Sequence, residues 1–152
     1  MKVLKYLVMG TAAFAFTAMA SAAEQGTAAE AEAMVKKGVA YAKANGRDKF
    51  LAEVGNGKGQ FIDRDLYISV WSTKAVVLAH GANAKLVGKD IIDLKDADGK
   101  PFMREVVAKA ASANNGWIEY KWVNPVSKEI QLKSAYFEKV DDMLISTGHY
   151  KK

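Results

Sequence analysis

Asp65-Leu66-Tyr67-Ile68-Ser69-Val70-Trp71-Ser72 breaks the periodicity of everything before it. Aliphatic Leu66, Ile68 and Val70 alternate with Tyr67, Ser69 and Trp71. A repeat of two marks a strand with one face on a core. Tyr67 and Trp71 therefore share one face of that strand. Thr73-Lys74 supplies a turn, and Ala75 to His80 reads as the returning strand, ended by Gly81-Ala82-Asn83.

Upstream the period is helical. Residues 24–45 are rich in alanine and glutamate, and Ala31, Met34, Val35, Gly38, Tyr41 and Ala42 fall on one stripe. Spacing of three and four residues places them on one helix face. Asn45-Gly46 is a stop signal. A second short helix fits Arg47 to Val54, and the glycines of Gly55-Asn56-Gly57-Lys58-Gly59 require a loop. Downstream, Lys85 to Asp98 is irregular, with Leu86, Val87, Ile91, Ile92 and Leu94 as packing anchors. Pro101 suits a first helical turn, and Phe102 to Ala113 carries Phe102, Val106, Val107 and Ala110 on an inner face. Strands are expected at Trp117 to Val123, Gln131 to Val140 and Met143 to Tyr150, with turns at Asn124-Pro125 and Asp141-Asp142. The order is helix, helix, two strands, helix, three strands. Hairpin connections make the sheet antiparallel and five-stranded, and helices set apart from such a sheet define an α+β domain.

The first residues bear on compartment. Lys2 and Lys5 precede an apolar run from Tyr6 to Met19, followed by Ala20-Ser21-Ala22-Ala23 and the first acid, Glu24. A basic start, a short apolar core and an Ala-x-Ala-like end compose a secretory signal peptide. The run is shorter than the roughly 20 apolar residues of a membrane span. Residues 1–23 are thus expected to be a cleaved leader, and 24–152 one periplasmic domain with no membrane span. The leader holds two lysines and no acid, so the formal charge of +5 falls to +3 on its removal. Lysines are scattered and the arginines are Arg47, Arg64 and Arg104 alone, so no basic stripe for nucleic acid exists. With no cysteine, thiol catalysis, thiolate metal sites and disulfides are excluded.

Catalytic chemistry finds little support. His80 and His149 lie in separate strands, and neither a nucleophile elbow, a His-Glu-x-x-His motif nor a phosphate loop is present. Asp96, Asp98, Gly99 and Glu105 fall at calcium-loop spacing, but Leu94 would occupy the first ligand position and offers no oxygen. That segment reads as a polar turn with aspartates near a helix start. No metal or cofactor is expected. Aromatic clustering is the stronger signal: Trp117, Tyr120, Trp122 and Tyr136 lie close in sequence to Lys133. Such a set suits a small-molecule pocket and equally suits core packing in strands.

These segments together resemble the single Cache domain family. Asp65 to Trp71 with Val77-Leu78-Ala79-His80 resembles its opening strands, as do Lys85 to Asp90 and Asp93 to Phe102. Gly116-Trp117-Ile118-Glu119-Tyr120-Lys121-Trp122-Val123-Asn124-Pro125, followed by Lys133-Ser134-Ala135-Tyr136, is the best match. The resemblance implies a PAS-like five-stranded antiparallel sheet behind a long N-terminal helix, and an extracytoplasmic sensor for small metabolites, often short organic acids. It departs from the family pattern at Ser72-Thr73-Lys74, where Asp and Gly are frequent, and at Gly81, where proline is common after His80. No transmembrane helix or signalling module follows Tyr150. By resemblance the ligand-binding residues are Tyr67, Trp71, His80, Trp117, Tyr120, Trp122, Lys133 and Tyr136. On regular strands Trp117 and Tyr120 face opposite sides, as do Lys133 and Tyr136, so at least two of the set belong to the core.

The expected function is a periplasmic module that binds or senses a small molecule, an organic acid, without catalysis. An adaptor docking on a membrane receptor is the alternative, and would show an exposed apolar patch, along the first helix. An enzyme would need an acid–base pair that these residues do not supply.

Overall fold

The computed structural model describes residues 24–151. The leader expected at residues 1–23 lies outside them. The first helix, α1 (Ala28–Asn45), starts four residues later than the alanine-rich composition suggests. Thr27 is the reason. Its hydroxyl accepts from the Glu30 N–H at 3.2 Å while the Glu30 carboxylate accepts from the Thr27 N–H at 2.8 Å. This reciprocal capping box satisfies two backbone donors that a helix start otherwise leaves free. Gly26 is held out of the helix, its N–H donating to Asp65 Oδ1 at 2.7 Å.

α1 buries Ala31, Val35, Gly38, Val39 and Ala42. Met34 and Tyr41 are only partly buried, and Val39 replaces them on the stripe. A Cβ at Gly38 would come within 2.7 Å of the Ile68 side chain, so glycine lets the helix lie close on the sheet. α2 (Arg47–Gly55) adds Phe50 and Val54 to the same core. The predicted strand over residues 65–72 is divided. Leu66–Tyr67 (β2) pairs with Ile62–Asp63 (β1) in a small ribbon, and Ser69–Ser72 (β3) enters the main sheet. Arg64, with φ 56°, makes the tight turn of the ribbon, a left-handed conformation uncommon outside glycine.

The main sheet holds β3, β4 (Val77–His80), β5 (Asn115–Val123), β6 (Ile130–Val140) and β7 (Met143–Tyr150). Its order is β4-β3-β7-β6-β5, antiparallel throughout. The domain is α+β, as the strand pattern predicts, and PAS-like, as the family resemblance implies. α1 and α2 cover one face, with Ile68, Val70 and Ile145. α3 (Phe102–Ser112) covers the other, with Trp71, Ile118, Phe137 and Leu144. Met103 joins Phe102, Val106 and Ala110 on the buried side of α3, and Val107 is partly buried.

The loop before α3 closes the sheet edge. Lys109 Nζ donates to the Trp117 carbonyl at 2.6 Å and Lys100 Nζ to the Glu119 carbonyl at 2.7 Å. Asp96 Oδ2 accepts from the Lys121 N–H at 2.9 Å, and its Oδ1 accepts from the N–H groups of Asp98 and Lys100. These contacts occupy edge groups that could otherwise pair with another chain. Asp96 thus fastens the loop to β5 rather than serving the start of α3, the role its place in sequence suggests.

Asp65 is 2% exposed. Besides Gly26 it faces Asn124 Nδ2 at 3.5 Å, and Asn124 in turn organises the β5–β6 turn through the N–H groups of Val126 and Ser127. One carboxylate therefore pins the segment entering α1 to the tip of the longest hairpin. Asp65→Ala strands the Gly26 donor, and a buried unsatisfied group costs about 1–3 kcal/mol. Urea unfolding should record that loss, and a change under about 0.5 kcal/mol, the range of neutral surface substitutions, would show that the pin is dispensable.

Candidate functional site

On β5 and β6 the register pairs Tyr120 with Lys133 and Trp122 with Gln131, so these side chains share the face covered by α3. On β3 and β4 Trp71 and His80 project to that face too, beside Tyr67 from β2. The result is a narrow cavity lined by Tyr67, Ser69, Trp71, Val77, His80 and Tyr120, with Trp122. Leu86, Ile91 and Phe102 roof it from the loop and from α3. Phe102 stacks on Tyr120 with centroids 4.2 Å apart and planes 7° from parallel. Trp122 stands edge-on to both, at 5.7 Å from Phe102 and 6.0 Å from Tyr120. The centre of a water molecule has about 10 Å³ of room inside, close to the minimum that holds one water. Tyr67, His80 and Trp122 also line an outer hollow with Asn83, Pro125 and Lys128, so these three rings border both spaces.

His80 is 7% exposed. Its Nδ1 accepts from the N–H groups of Ala82 at 3.2 Å and Asn83 at 3.0 Å. Two donors on Nδ1 place the ring proton on Nε2. Burial, and then the charge of Lys133, holds the imidazole pKa down to about 4. His80 is therefore a neutral ring with one N–H to give.

Lys133 is 2% exposed, the buried cation of the described residues. Its Nζ lies 4.0 Å from the centre of the Tyr67 ring and 5.1 Å from that of Tyr150. Among the described residues no carboxylate stands at ion-pair distance from it. Burial pushes its pKa down to about 7, against a weaker opposing pull from Asp65. The ammonium rests on the ring of Tyr67, which lines the cavity, rather than on the cavity wall itself. The Tyr67 and Tyr150 hydroxyls are 3.3 Å apart, and Tyr150 donates to the Val123 carbonyl at 2.8 Å. Burial raises both phenols above the ordinary tyrosine range; Tyr150 adds to the rise at Tyr67, whereas at Tyr150 the hydrogen bond with Tyr67 opposes it and Tyr120 and Asp65 add to it.

Of the residues singled out in the sequence, Tyr67, Trp71, His80, Tyr120 and Trp122 meet around the cavity, with Lys133 one ring away. Trp117 and Tyr136 do not. They pair across β5 and β6 on the opposite face, their rings 5.2 Å apart, in the core beneath α1. The two-residue period of the strands separates them from Tyr120 and Lys133.

A family model for single Cache domain 2 matches residues 3–152. The chain belongs to the single Cache domain 2 family. A methyl-accepting chemotaxis protein, McpP of Pseudomonas putida KT2440, is 30% identical over 90 residues, which are 58% of this chain and 16% of that protein. A methyl-accepting chemotaxis protein from Vibrio parahaemolyticus superposes with a TM-score of 0.68 at 24% identity, over 80% of this chain and 86% of the other. A Cache chemosensory domain described for carboxylic acid recognition gives 0.63 at 23% identity, over 82% and 88%. These likenesses agree on the fold.

Several residues of this Cache domain's cavity wall are not among those the sequence pattern singles out. Ser69, Val77, Leu86, Ile91 and Phe102 line the cavity; Leu86, Ile91 and Phe102 were legible only as apolar anchors. Tyr150 and Gly148 were not legible at all. A Cβ at Gly148 would fall 2.7 Å from Lys133 Cε, 2.8 Å from the Ser134 carbonyl oxygen and 2.9 Å from Ala135 Cα. The missing side chain is the space through which the Lys133 stem crosses β7 toward Tyr67.

Proposed function

We propose that this domain is a periplasmic sensor module that binds a short organic acid in the aromatic cavity and does no chemistry on it. One observation carries the reading: a buried ammonium with no counter-ion among the described residues lies against the wall of an aromatic cavity that is also lined by a neutral imidazole. Ammonium and imidazole N–H are donors suited to the two oxygens of a carboxylate. Trp71, Phe102 and Leu86 offer apolar surface to a short tail. A small shift of Tyr67 would bring the acid and Lys133 together. The chemoreceptor relatives and the neighbour described for carboxylic acid recognition support this ligand class. Export through the leader at residues 1–23 belongs to the same proposal.

Catalysis is disfavoured by the site's chemistry. His80 is held neutral with Nδ1 occupied, and no carboxylate lines the cavity. Among the described residues no helix is long and apolar enough to cross a membrane. A second reading, docking on a receptor, draws on a different observation. α1 carries no exposed large apolar side chain, contrary to the expected place of such a patch. Instead Val123, Val126, Ile130 and Leu132 are exposed on the β5–β6 hairpin.

A thermal-shift series separates these readings. Binding to the native state alone stabilises it by about 2.7 kcal/mol at a ligand concentration 100 times the Kd. For a domain of this size that raises the melting temperature by roughly ten degrees. Straight-chain monocarboxylates from acetate upward should produce such shifts, largest for the shortest members, because a cavity with room for about one water must widen further for each added carbon. Silence across the series would turn attention to the hairpin.

A further inference from the structure

The immediate surroundings of Lys133 pose an electrostatic problem. Its ammonium is buried and meets two aromatic rings instead of an anion. Asp65 is the carboxylate whose field reaches it, yet that group is engaged by the Gly26 N–H and Asn124. An isolated buried charge is costly, and such a group is released from that cost by losing its proton. A carboxylate arriving at the cavity reverses the balance, since an opposite charge at close range favours the charged form.

We propose that the site takes up a proton together with each carboxylate it binds, so that the domain responds jointly to the acid and to ambient acidity. This rests on the organic-acid reading above. Above neutral pH the empty site holds Lys133 largely as a neutral amine, its pKa pushed down to about 7 by burial. Binding then adds one proton from solvent to Nζ. No bond to carbon forms or breaks: the amine gains a proton and the ammonium pairs with the carboxylate. Affinity for the anion should fall roughly tenfold per pH unit above the pKa of the empty site.

The neighbouring groups do not blur this window. Tyr67 and Tyr150, facing Lys133 from β2 and β7, are raised far above it by burial. Tyr120, its register partner on β5, is likewise raised by burial. His80 on β4 titrates near 4. Asp65, the carboxylate whose field reaches Lys133, is held by the Gly26 N–H and faces Asn124 Nδ2. α3 presents its charges outward: Arg104 pairs with Asp93, and Glu105 with Lys100 and Lys109. His149 is on the opposite face of β7, beside Trp117.

Folding provides a second, ligand-free readout of opposite slope. The unfolded lysine keeps its proton to the ordinary value of 10.5, whereas the native one loses it near 7. Between those values the unfolded chain binds more protons, so stability rises with pH. Below about 7 both states are protonated and the full cost of the buried charge is present.

The experiment is calorimetric titration of the domain with acetate and propionate at pH 6.5, 7.5 and 8.5, in pairs of buffers with different ionisation enthalpies. Urea unfolding of the free domain and of Lys133→Met is followed over the same range. The expected result is a loss of roughly tenfold in affinity from pH 7.5 to 8.5, with close to one proton taken up at pH 8.5 and much less at 6.5. Over that range the free domain should gain stability relative to Lys133→Met. Equal affinity at pH 6.5 and 8.5 without proton uptake overturns the proposal and leaves organic-acid binding intact. No binding even at pH 6.5 overturns both. Parallel stability curves for the two proteins show that Lys133 does not titrate in this window, and the proposal fails on that result as well.

Discussion

Lys133→Met is expected to weaken binding of a short carboxylate at pH 6.5 at least thirtyfold while leaving the domain folded and somewhat more stable. The two effects have one cause. In the liganded state the ammonium is one partner of a buried, hydrogen-bonded charge pair, and removing such a partner costs about 2–5 kcal/mol. At about 1.4 kcal/mol per decade the lower bound is roughly thirtyfold. In the empty state the same ammonium is 2% exposed, with no counter-ion among the described residues. Replacing buried charge by apolar volume is often neutral or stabilising by about 1–4 kcal/mol. The lost contact with the Tyr67 ring offsets about 1–2 kcal/mol of that. Methionine follows the lysine stem along the Gly148 gap, so packing changes little. Titration calorimetry and urea unfolding on the same preparations read both quantities. A loss below about fivefold, with the fold intact, would remove Lys133 from the site and leave His80 and the aromatic wall to explain recognition. A destabilised variant would instead mean that the lysine is a structural residue held by the two tyrosine rings.

The strands were legible because their chemistry is local. Leu66, Ile68 and Val70 alternate with Tyr67, Ser69 and Trp71 whatever lies elsewhere in the chain, and the final strand is found where expected, Met143–Tyr150. The same period of two sets Trp117 against Tyr120 and Lys133 against Tyr136, and the β5–β6 register then groups Tyr120 with Lys133 and Trp117 with Tyr136. What stayed hidden depends on contacts between distant segments. The split of the first strand at Ile68 comes from its N–H bonding to the Phe61 carbonyl, which no alternation in residues 65–72 announces. The late start of α1 is set locally by the Thr27–Glu30 capping box, but the hold on Gly26 ahead of it comes from Asp65, separated by 39 positions in the chain. Phe102 was legible as an inward residue of a helix, but its stacking on Tyr120 needs the crossing of α3 over β5. Asp96 looked like part of a helix start until the sheet edge supplied Lys121 as its partner.

Gly148 is the clearest case of a residue whose role only packing reveals, and Gly148→Ala should harm stability and binding together. The added methyl has nowhere to go. On one side it meets Lys133 Cε at 2.7 Å, a flexible stem that can swing. On the other it meets the Ser134 carbonyl oxygen at 2.8 Å and Ala135 Cα at 2.9 Å, which are backbone of the neighbouring strand. Gly148 is paired with Ala135 in the β6–β7 ladder, so relief requires those central strands to part. Overpacking of this kind costs about 1–3 kcal/mol. Swinging Lys133 away draws its ammonium off the Tyr67 ring and out of reach of the cavity, so acetate affinity should fall nearly as far as in Lys133→Met. The two substitutions together separate the contributions. In the Lys133→Met background Gly148→Ala should still destabilise, because the backbone clash remains, but it should cause almost no further loss of binding, because the group it displaces has gone. Urea unfolding and calorimetry of the four proteins in this cycle provide the coupling directly. Gly148→Ala that is neutral in stability would show that β7 yields more easily than its ladder suggests. Additive losses in binding would mean that Gly148 shapes the cavity through something other than the lysine that crosses it.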